Sequence, residues 1–218
     1  MASFRLPGFS VRANGFAFAN CYPPGSPVVE IPTPFGKVPI GDAHGGLCGG
    51  MVFAAMDGYL HGVKELPPTV EPPLFRYFCQ RLLDSWDLPF GVLKYYDWQR
   101  RRSGLLRMTV AKEWPRIRAQ LHRGVPAALG VVQECGYDPR LLVSNHQVLC
   151  YGYDFDEATG TLDLAIYDPN YPNDEELSLS IPLRGGEMIR HSCEGPTVRG
   201  VFLTRYRRPA RSPDALDF

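Results

Sequence analysis

The segment Gly45-Gly46-Leu47-Cys48-Gly49-Gly50-Met51, followed by an apolar run over residues 51–56, is the stretch from which the fold can be inferred. Glycines that lead into an apolar run are typical of a tight loop opening a buried helix. We therefore predict a helix from Cys48 to about Leu60, stopped by Gly62. A helix N-terminus carries free backbone N–H groups and partial positive charge, and both favour a thiolate over a thiol. This position makes Cys48 a candidate nucleophile.

The length and composition of the chain favour a single domain. The 218 residues include 23 basic and 23 acidic side chains, which gives a formal net charge of zero. Because no Ser/Gly-rich linker divides the chain, we place one domain at residues 1–206. Its helical half spans about 48–123 and its sheet half about 125–206. The polar, proline-containing residues 207–218 are predicted to form a disordered tail.

The same composition restricts the partners that we expect. Balanced charge argues against nucleic acid, because binding to a phosphate backbone needs clustered positive charge. We find no secretory signal and no run of about 20 apolar residues, so we expect no membrane span and a soluble protein, cytoplasmic by default. Export by a route that reads no N-terminal signal stays open. Nothing in the sequence selects an oligomeric state.

Six cysteines lie at positions 21, 48, 79, 135, 150 and 193, and none forms a C-x-x-C pair. This spacing argues against zinc-ribbon and thioredoxin-like sites and is consistent with reduced thiols. Cys135 and Cys150 lie in apolar runs, and we assign both to the core. A metal site built from Cys48, His44, His146 and Asp168 is conceivable, because all three residue types bind zinc. We favour a site with no metal and no organic cofactor.

The pattern of apolar residues and turn signals predicts helices before Gly124 and strands after it. Besides the first helix, we predict helices at 74–86, 92–99 and 109–123, the last with Thr109 as N-cap and Pro115 near its first turn or at a kink. Early short strands are predicted at 15–20, 28–31 and 38–40. Later strands follow at 126–132, 147–153, 161–167, 177–181, 188–191 and 199–206, with a hairpin loop at 156–160. The layout is α+β with a mostly antiparallel sheet.

Two predicted strands supply partners for a nucleophilic cysteine. His146 stands at the start of one strand, and Asp168 follows the end of the next. A cysteine nucleophile needs a base to accept its proton, and the base needs a third group to orient it. Taken singly, each residue has an ordinary structural interpretation, such as packing for the cysteine or turn formation for the aspartate. Their combination favours catalysis, with Asn170 as the competing third member.

Three pieces of the sequence together resemble the papain-like cysteine peptidases, and most closely the branch similar to bacterial leader-peptide-processing peptidases. They are Gly46-Leu47-Cys48-Gly49-Gly50-Met51, the pattern Trp114-x-x-Ile117-x-x-Gln120-Leu121-x-x-Gly124-x-Pro126, and Asn145-His146-Gln147-Val148 through Asp154 with Asp168-Pro169 ending the next strand. The resemblance implies a helical half that carries Cys48, a sheet half that carries His146, and a cleft between them. It implies a Cys–His–Asp thiol hydrolase or acyl transferase that acts on a peptide or protein. Tyr153, Tyr167 and Tyr171 are the aromatic residues that we place along this groove.

One position departs from the pattern of that family. Such enzymes usually carry a glutamine about six residues before the nucleophile as an oxyanion donor, and this chain has Asp42 there. An ionised carboxylate cannot donate a hydrogen bond to an oxyanion. Either His44 or a shifted loop is then expected to supply that donor beside the Cys48 N–H, whereas Asp42 caps the helix or holds a substrate amine. The expected function is a cysteine peptidase or amidase. The alternatives are a catalytically inactive papain-like binding module and a transglutaminase-like acyl transferase.

Overall fold

The computed structural model of the protein describes residues 2–33, 36–184, 188–193, 195, 197–209 and 213–216. Short elements precede the helix that carries Cys48, helices follow it, and strands make up most of the second half of the chain. The elements in chain order are β1 (Ala2–Arg5), α1 (Val11–Asn14), β2 (Val29–Thr33), β3 (Gly36–Ile40), α2 (Cys48–His61), α3 (Pro72–Ser85), α4 (Phe90–Gln99), α5 (Leu105–Met108), α6 (Trp114–Leu121), β4 (Ala127–Val132), β5 (His146–Asp156), β6 (Thr161–Tyr167), β7 (Ser178–Pro182), β8 (Arg190–His191) and β9 (Gly200–Leu203).

Helix α2 is the centre of the helical half. Its residues 49–58 are all buried, and it ends at Gly62, whose positive φ of 74° gives a left-handed C-cap. This confirms the predicted helix and its stop signal. Helix α3 crosses α2 at Gly50, where an added Cβ would collide with the carbonyl oxygen of Phe78. The absence of a side chain at this position lets the two helix backbones approach closely.

A buried ion pair joins α2 and α3. Asp57 is completely buried and accepts hydrogen bonds from Arg81 Nε at 2.8 Å and Nη2 at 3.0 Å. The hydroxyls of Tyr77 and Tyr206 each donate to the same carboxylate at 2.6 Å. Since Tyr206 follows β9, the pair also fastens the end of the sheet half to the helices. A buried charge that is fully hydrogen-bonded in this way is tolerated, whereas an unpaired one is costly.

The sheet half is antiparallel, with strand order β8-β7-β6-β5-β4-β9. Strand β5 is eleven residues long. Along one of its edges it pairs with β4 near its start and with β1 further along. Val131 of β4 pairs with His146 at the start of β5, whereas Arg5 of β1 pairs with Gly152 further along. A separate hairpin pairs β2 with β3. The α+β class and the predicted strands after Gly124 are confirmed.

Several local predictions are wrong. Residues 15–20 form irregular backbone instead of a strand, and the segment 2–5, to which we assigned no strand, pairs with β5. The last predicted helix begins earlier, at Leu105, and Thr109 is not its N-cap, since its hydroxyl donates to the Val201 carbonyl and accepts the Val201 N–H, both at 3.0 Å. A π-helical turn over Thr109–Glu113 precedes Pro115, which accounts for a proline within a continuous helical segment.

Two predictions about exposure also fail. Leu216 lies in the predicted disordered tail, yet it forms part of a short 3₁₀ turn and is fully buried. The tail residues 210–212, 217 and 218 lie outside the described residues. Cys150 is buried as expected, but Cys135 is exposed because it follows the end of β4.

Within the described part of the chain, no helix is long and apolar enough to cross a membrane.

Candidate active site

Cys48 is the first residue of α2, and its side chain is partly exposed. The N-cap residue Leu47 provides no side-chain cap, so the first-turn N–H groups keep their hydrogen-bonding capacity for another group. The glycines have a steric role as well. Gly46 has a φ of 92°, and an added Cβ at Gly49 would collide with Ser85 Oγ. These glycines allow the loop and the first turn of α2 to pack directly against neighbouring segments.

His146 opens β5 and lies between the thiol and a carboxylate. Its Nε2 lies 2.8 Å from Oδ1 of Asp168, and its side chain is 13% exposed. The Cys48 side chain also acts on the imidazole and raises its pKa, and Nδ1 is the ring nitrogen that Asp168 leaves available. The buried Tyr95 hydroxyl donates to the His146 carbonyl at 3.2 Å and holds the start of the strand. The structure therefore brings Cys48, His146 and Asp168 together in one cluster.

The electrostatics of this cluster favour charged side chains. Burial lowers the pKa of His146, but the negative charge of Cys48 and the hydrogen bond with Asp168 outweigh burial and raise the pKa to about 10. Burial raises the pKa of Asp168, yet the hydrogen bond with His146 and the nearby ring of His191 hold the pKa of that carboxyl well below its usual range. Both shifts favour the charged forms of His146 and Asp168.

Asp168 directly follows β6 and is only 2% exposed. Besides His146, its Oδ1 accepts the backbone N–H of Asn170 at 2.8 Å. A second histidine, His191 of β8, places its Nε2 3.3 Å from Oδ2. The sequence analysis gave His191 no role. The one sequence signal that could have identified it is its place at the end of a predicted strand. His146 and Asp168 also lie at the ends of strands.

Asn170 was the competing third member of the triad, and its side chain has a different neighbour. Its Oδ1 accepts a hydrogen bond from Asn20 Nδ2 at 3.1 Å. Asn20 Oδ1 in turn accepts the Leu47 N–H at 2.5 Å, and the Asn20 N–H donates to the Pro169 carbonyl at 2.9 Å. Asn20 thus links the loop before Cys48 to the segment after Asp168. Sequence reasoning missed this residue, because its partners lie far away along the chain.

Asp42 and His44 stabilise the loop before α2. Asp42 Oδ1 accepts the His44 N–H at 3.0 Å and Oδ2 accepts the Gly25 N–H at 3.1 Å. These hydrogen bonds lower the pKa of the Asp42 carboxyl. Asp42 caps the 3₁₀ turn Ala43–Gly45 and not α2 itself, which corrects the helix-capping expectation. The His44 Nδ1 lies 3.2 Å from the Tyr22 carbonyl oxygen, to which it can only donate.

A small cleft opens over the histidine side of the cluster. Eight residues line it: Val131, Gln133, His146, Asp168, Asn170, Tyr171, His191 and Gly195. Of the three tyrosines expected along a groove, Tyr171 lines this cleft and is 37% exposed. Tyr153 and Tyr167 are buried in the core, so their predicted position along the groove is wrong.

The described residues contain no group of three or more His, Cys, Asp or Glu side chains placed to hold a metal ion. A larger open cleft lies elsewhere on the surface, where Arg101, Arg107 and Lys112 are among its lining residues. Comparison with family models, with curated proteins and with solved structures found no significant match for this chain.

Proposed function

We propose that the protein is a papain-like thiol hydrolase, a cysteine peptidase or amidase, with Cys48 as nucleophile, His146 as acid and base, and Asp168 as the orienting group. The observation that carries the proposal is the position of His146, which hydrogen-bonds with Asp168 and whose pKa is raised by both Cys48 and Asp168. A nucleophile, a base and an orienting group in hydrogen-bond contact are what acyl transfer through a thiol requires.

The reaction begins when the Cys48 thiolate attacks the carbonyl carbon of an amide and forms a carbon–sulfur bond. The protonated His146 then gives its proton to the amide nitrogen as the carbon–nitrogen bond breaks, and the amine leaves. In the second half, neutral His146 takes a proton from water while the hydroxide adds to the thioester carbon. Loss of the thiolate releases the acid and restores the starting ion pair. Asp168 keeps Nε2 of the imidazole occupied throughout, so Nδ1 faces the thiol.

The negative oxygen formed in each half needs hydrogen-bond donors. The backbone N–H of Cys48 is one candidate, because the first N–H groups of a helix have no partner within it. Asp42 is engaged in the preceding loop and, as a carboxylate, cannot serve. Asn20 carries the side-chain amide that is fixed to this loop through Leu47, and its second amide proton is the candidate for the other donor. This assignment replaces His44 in that role.

Alkylation of the thiols tests the proposal without knowledge of the substrate. Iodoacetamide labelling at about pH 6.5, with each site quantified by mass spectrometry, compares Cys48 with the exposed Cys21 and Cys135. We expect Cys48 to react fastest although it is less exposed. We expect His146→Ala to slow its labelling by about 100-fold, since general-base assistance is worth at least that much. The matched control is His122→Ala, a histidine that hydrogen-bonds with Tyr153 instead.

The outcome distinguishes an enzyme from a binding module. If Cys48 in the folded protein reacts no faster than Cys21 and Cys135, or is indifferent to His146→Ala, the thiol is inert and the proposal is wrong. If Cys48 is reactive, a peptide mixture with and without an added primary amine separates hydrolysis from transglutaminase-like transfer. Hydrolysis gives free carboxylates in both samples, whereas transfer requires the amine. Cys48→Ala must abolish either product.

A further inference from the structure

His191 reaches the catalytic cluster through the far edge of the sheet. It pairs with Leu179 of β7, and β7 pairs with β6, which ends just before Asp168. Two hydrogen bonds to the residue that begins β7 fix the backbone just after His191. Ser192 N–H donates to the Ser178 carbonyl at 2.9 Å, and the Ser178 N–H donates back to Ser192 Oγ at 2.9 Å. His191 therefore lies at the end of a strand whose backbone is held by hydrogen bonds to β7.

One hydrogen bond to the His191 ring fixes its tautomer. Nδ1 accepts the backbone N–H of Cys193 at 3.1 Å, so this nitrogen carries no proton. In the neutral ring the proton must then be on Nε2, which is buried and makes no hydrogen bond with the described residues. The nearest acceptor is Asp168 Oδ2 at 3.3 Å. The ring can contribute to this site only as a donor toward that carboxylate.

We infer that His191 is a positioning residue, which holds the carboxylate of Asp168 in the rotamer that keeps Oδ1 on His146. The inference rests on the proposed function, because it assigns His191 a part in the same reaction. A terminal carboxylate rotates easily about its last bond. Oδ1 is held by His146 and by the Asn170 N–H, and the 3.3 Å contact from His191 holds the second oxygen. With both oxygens engaged, rotation would break contacts on both sides.

Two conservative variants test the roles of the two ring nitrogens of His191 separately. The side-chain oxygen of His191→Asn can take the place of Nδ1 and keep the Cys193 N–H bonded, but no donor is left for Asp168. The amide nitrogen of His191→Gln can take the place of Nε2 and keep a donor for Asp168. We expect His191→Asn to slow the alkylation of Cys48 by about tenfold, as is usual when a group that orients a catalytic side chain is lost. His191→Gln is expected to retain most of the rate.

A double variant tests whether His191 acts through His146. If it does, adding His191→Asn to His146→Ala causes no further loss of alkylation rate, because the group it positions is already absent. A merely structural role would slow labelling in both backgrounds. Either that result, or equal rates for wild type and His191→Asn, would overturn the inference.

Solvent exchange of the His146 Nε2 proton, followed by NMR, gives a readout that does not depend on thiol chemistry. We expect this proton to exchange faster in His191→Asn than in wild type or in His191→Gln, since a mobile carboxylate protects it less. If Cys48 is unreactive in wild type but this difference is found, the proposed function fails and the positioning role stands. If Cys48 is reactive but the exchange rates are equal, the positioning role fails and the proposed function stands.

Discussion

Replacement of Cys48 should change the protonation of His146. The pKa of His146 is raised from 6.5 to about 10, with Cys48 the larger of the influences that raise it and Asp168 the next. Two opposite charges about 4 Å apart interact by about 4 kcal/mol at an effective dielectric constant of about 20. Cys48→Ala removes this attraction. We therefore expect the proton affinity of His146 to fall by about a thousandfold.

The pKa of His146 should fall in Cys48→Ala, because one of the influences that raise it is lost. In the variant, burial still lowers the pKa of His146, and the hydrogen bond with Asp168 still raises it. At about pH 8.5 the wild-type imidazole lies below its pKa and is charged, whereas the imidazole of Cys48→Ala is expected to be mostly neutral. Cys150→Ala is the matched control, because that thiol is buried in the same strand and donates to the Gly152 carbonyl.

An NMR titration of the histidine ring signals from about pH 5 to pH 11 measures this difference directly. His146→Ala assigns the relevant signal by its loss. The reasoning is refuted if wild-type His146 titrates near 6.5, the ordinary value for histidine. It is also refuted if Cys48→Ala and Cys150→Ala leave the titration of His146 equally unchanged, because the thiol would then contribute no charge to the pair.

Two further predictions concern the packing that supports the site. Arg81→Met leaves the buried Asp57 carboxylate without its cation and should lower the free energy of unfolding by about 3–5 kcal/mol in urea titrations, whereas Arg101→Met at the surface should leave the midpoint unchanged. Equal midpoints for the two variants would contradict this. Gly50→Ala pushes a methyl group into the backbone of the facing helix and should cost about 1–3 kcal/mol, seen as a lower melting temperature. Gly45→Ala has open space and should melt like wild type, so matching melting curves would count against the packing argument.

The elements of the fold were largely accessible from local sequence. The glycines around Cys48, the stop at Gly62 and the change of pattern after Gly124 predicted the helix-then-strand order that the structure has. These features depend on backbone conformation and on the period of apolar residues, both of which act over a few neighbouring positions. The failures at residues 15–20 and at Thr109 both involve contacts with distant strands. Thr109 bonds with Val201, and the Phe16 N–H donates to the Tyr167 hydroxyl.

The sequence by itself determined which residue types could do chemistry and the order in which they occur: a cysteine at a helix start, a histidine at a strand start, and an aspartate at the next strand end. Only the tertiary structure decided what surrounds them. Asn20 contacts Asn170 across 150 positions, and His191 meets Asp168 only through the pairing of β8 with β7 and of β7 with β6. Short-range preferences select the type of each element. Strand register and side-chain contacts between remote segments are set by hydrogen bonding and packing when the whole chain folds.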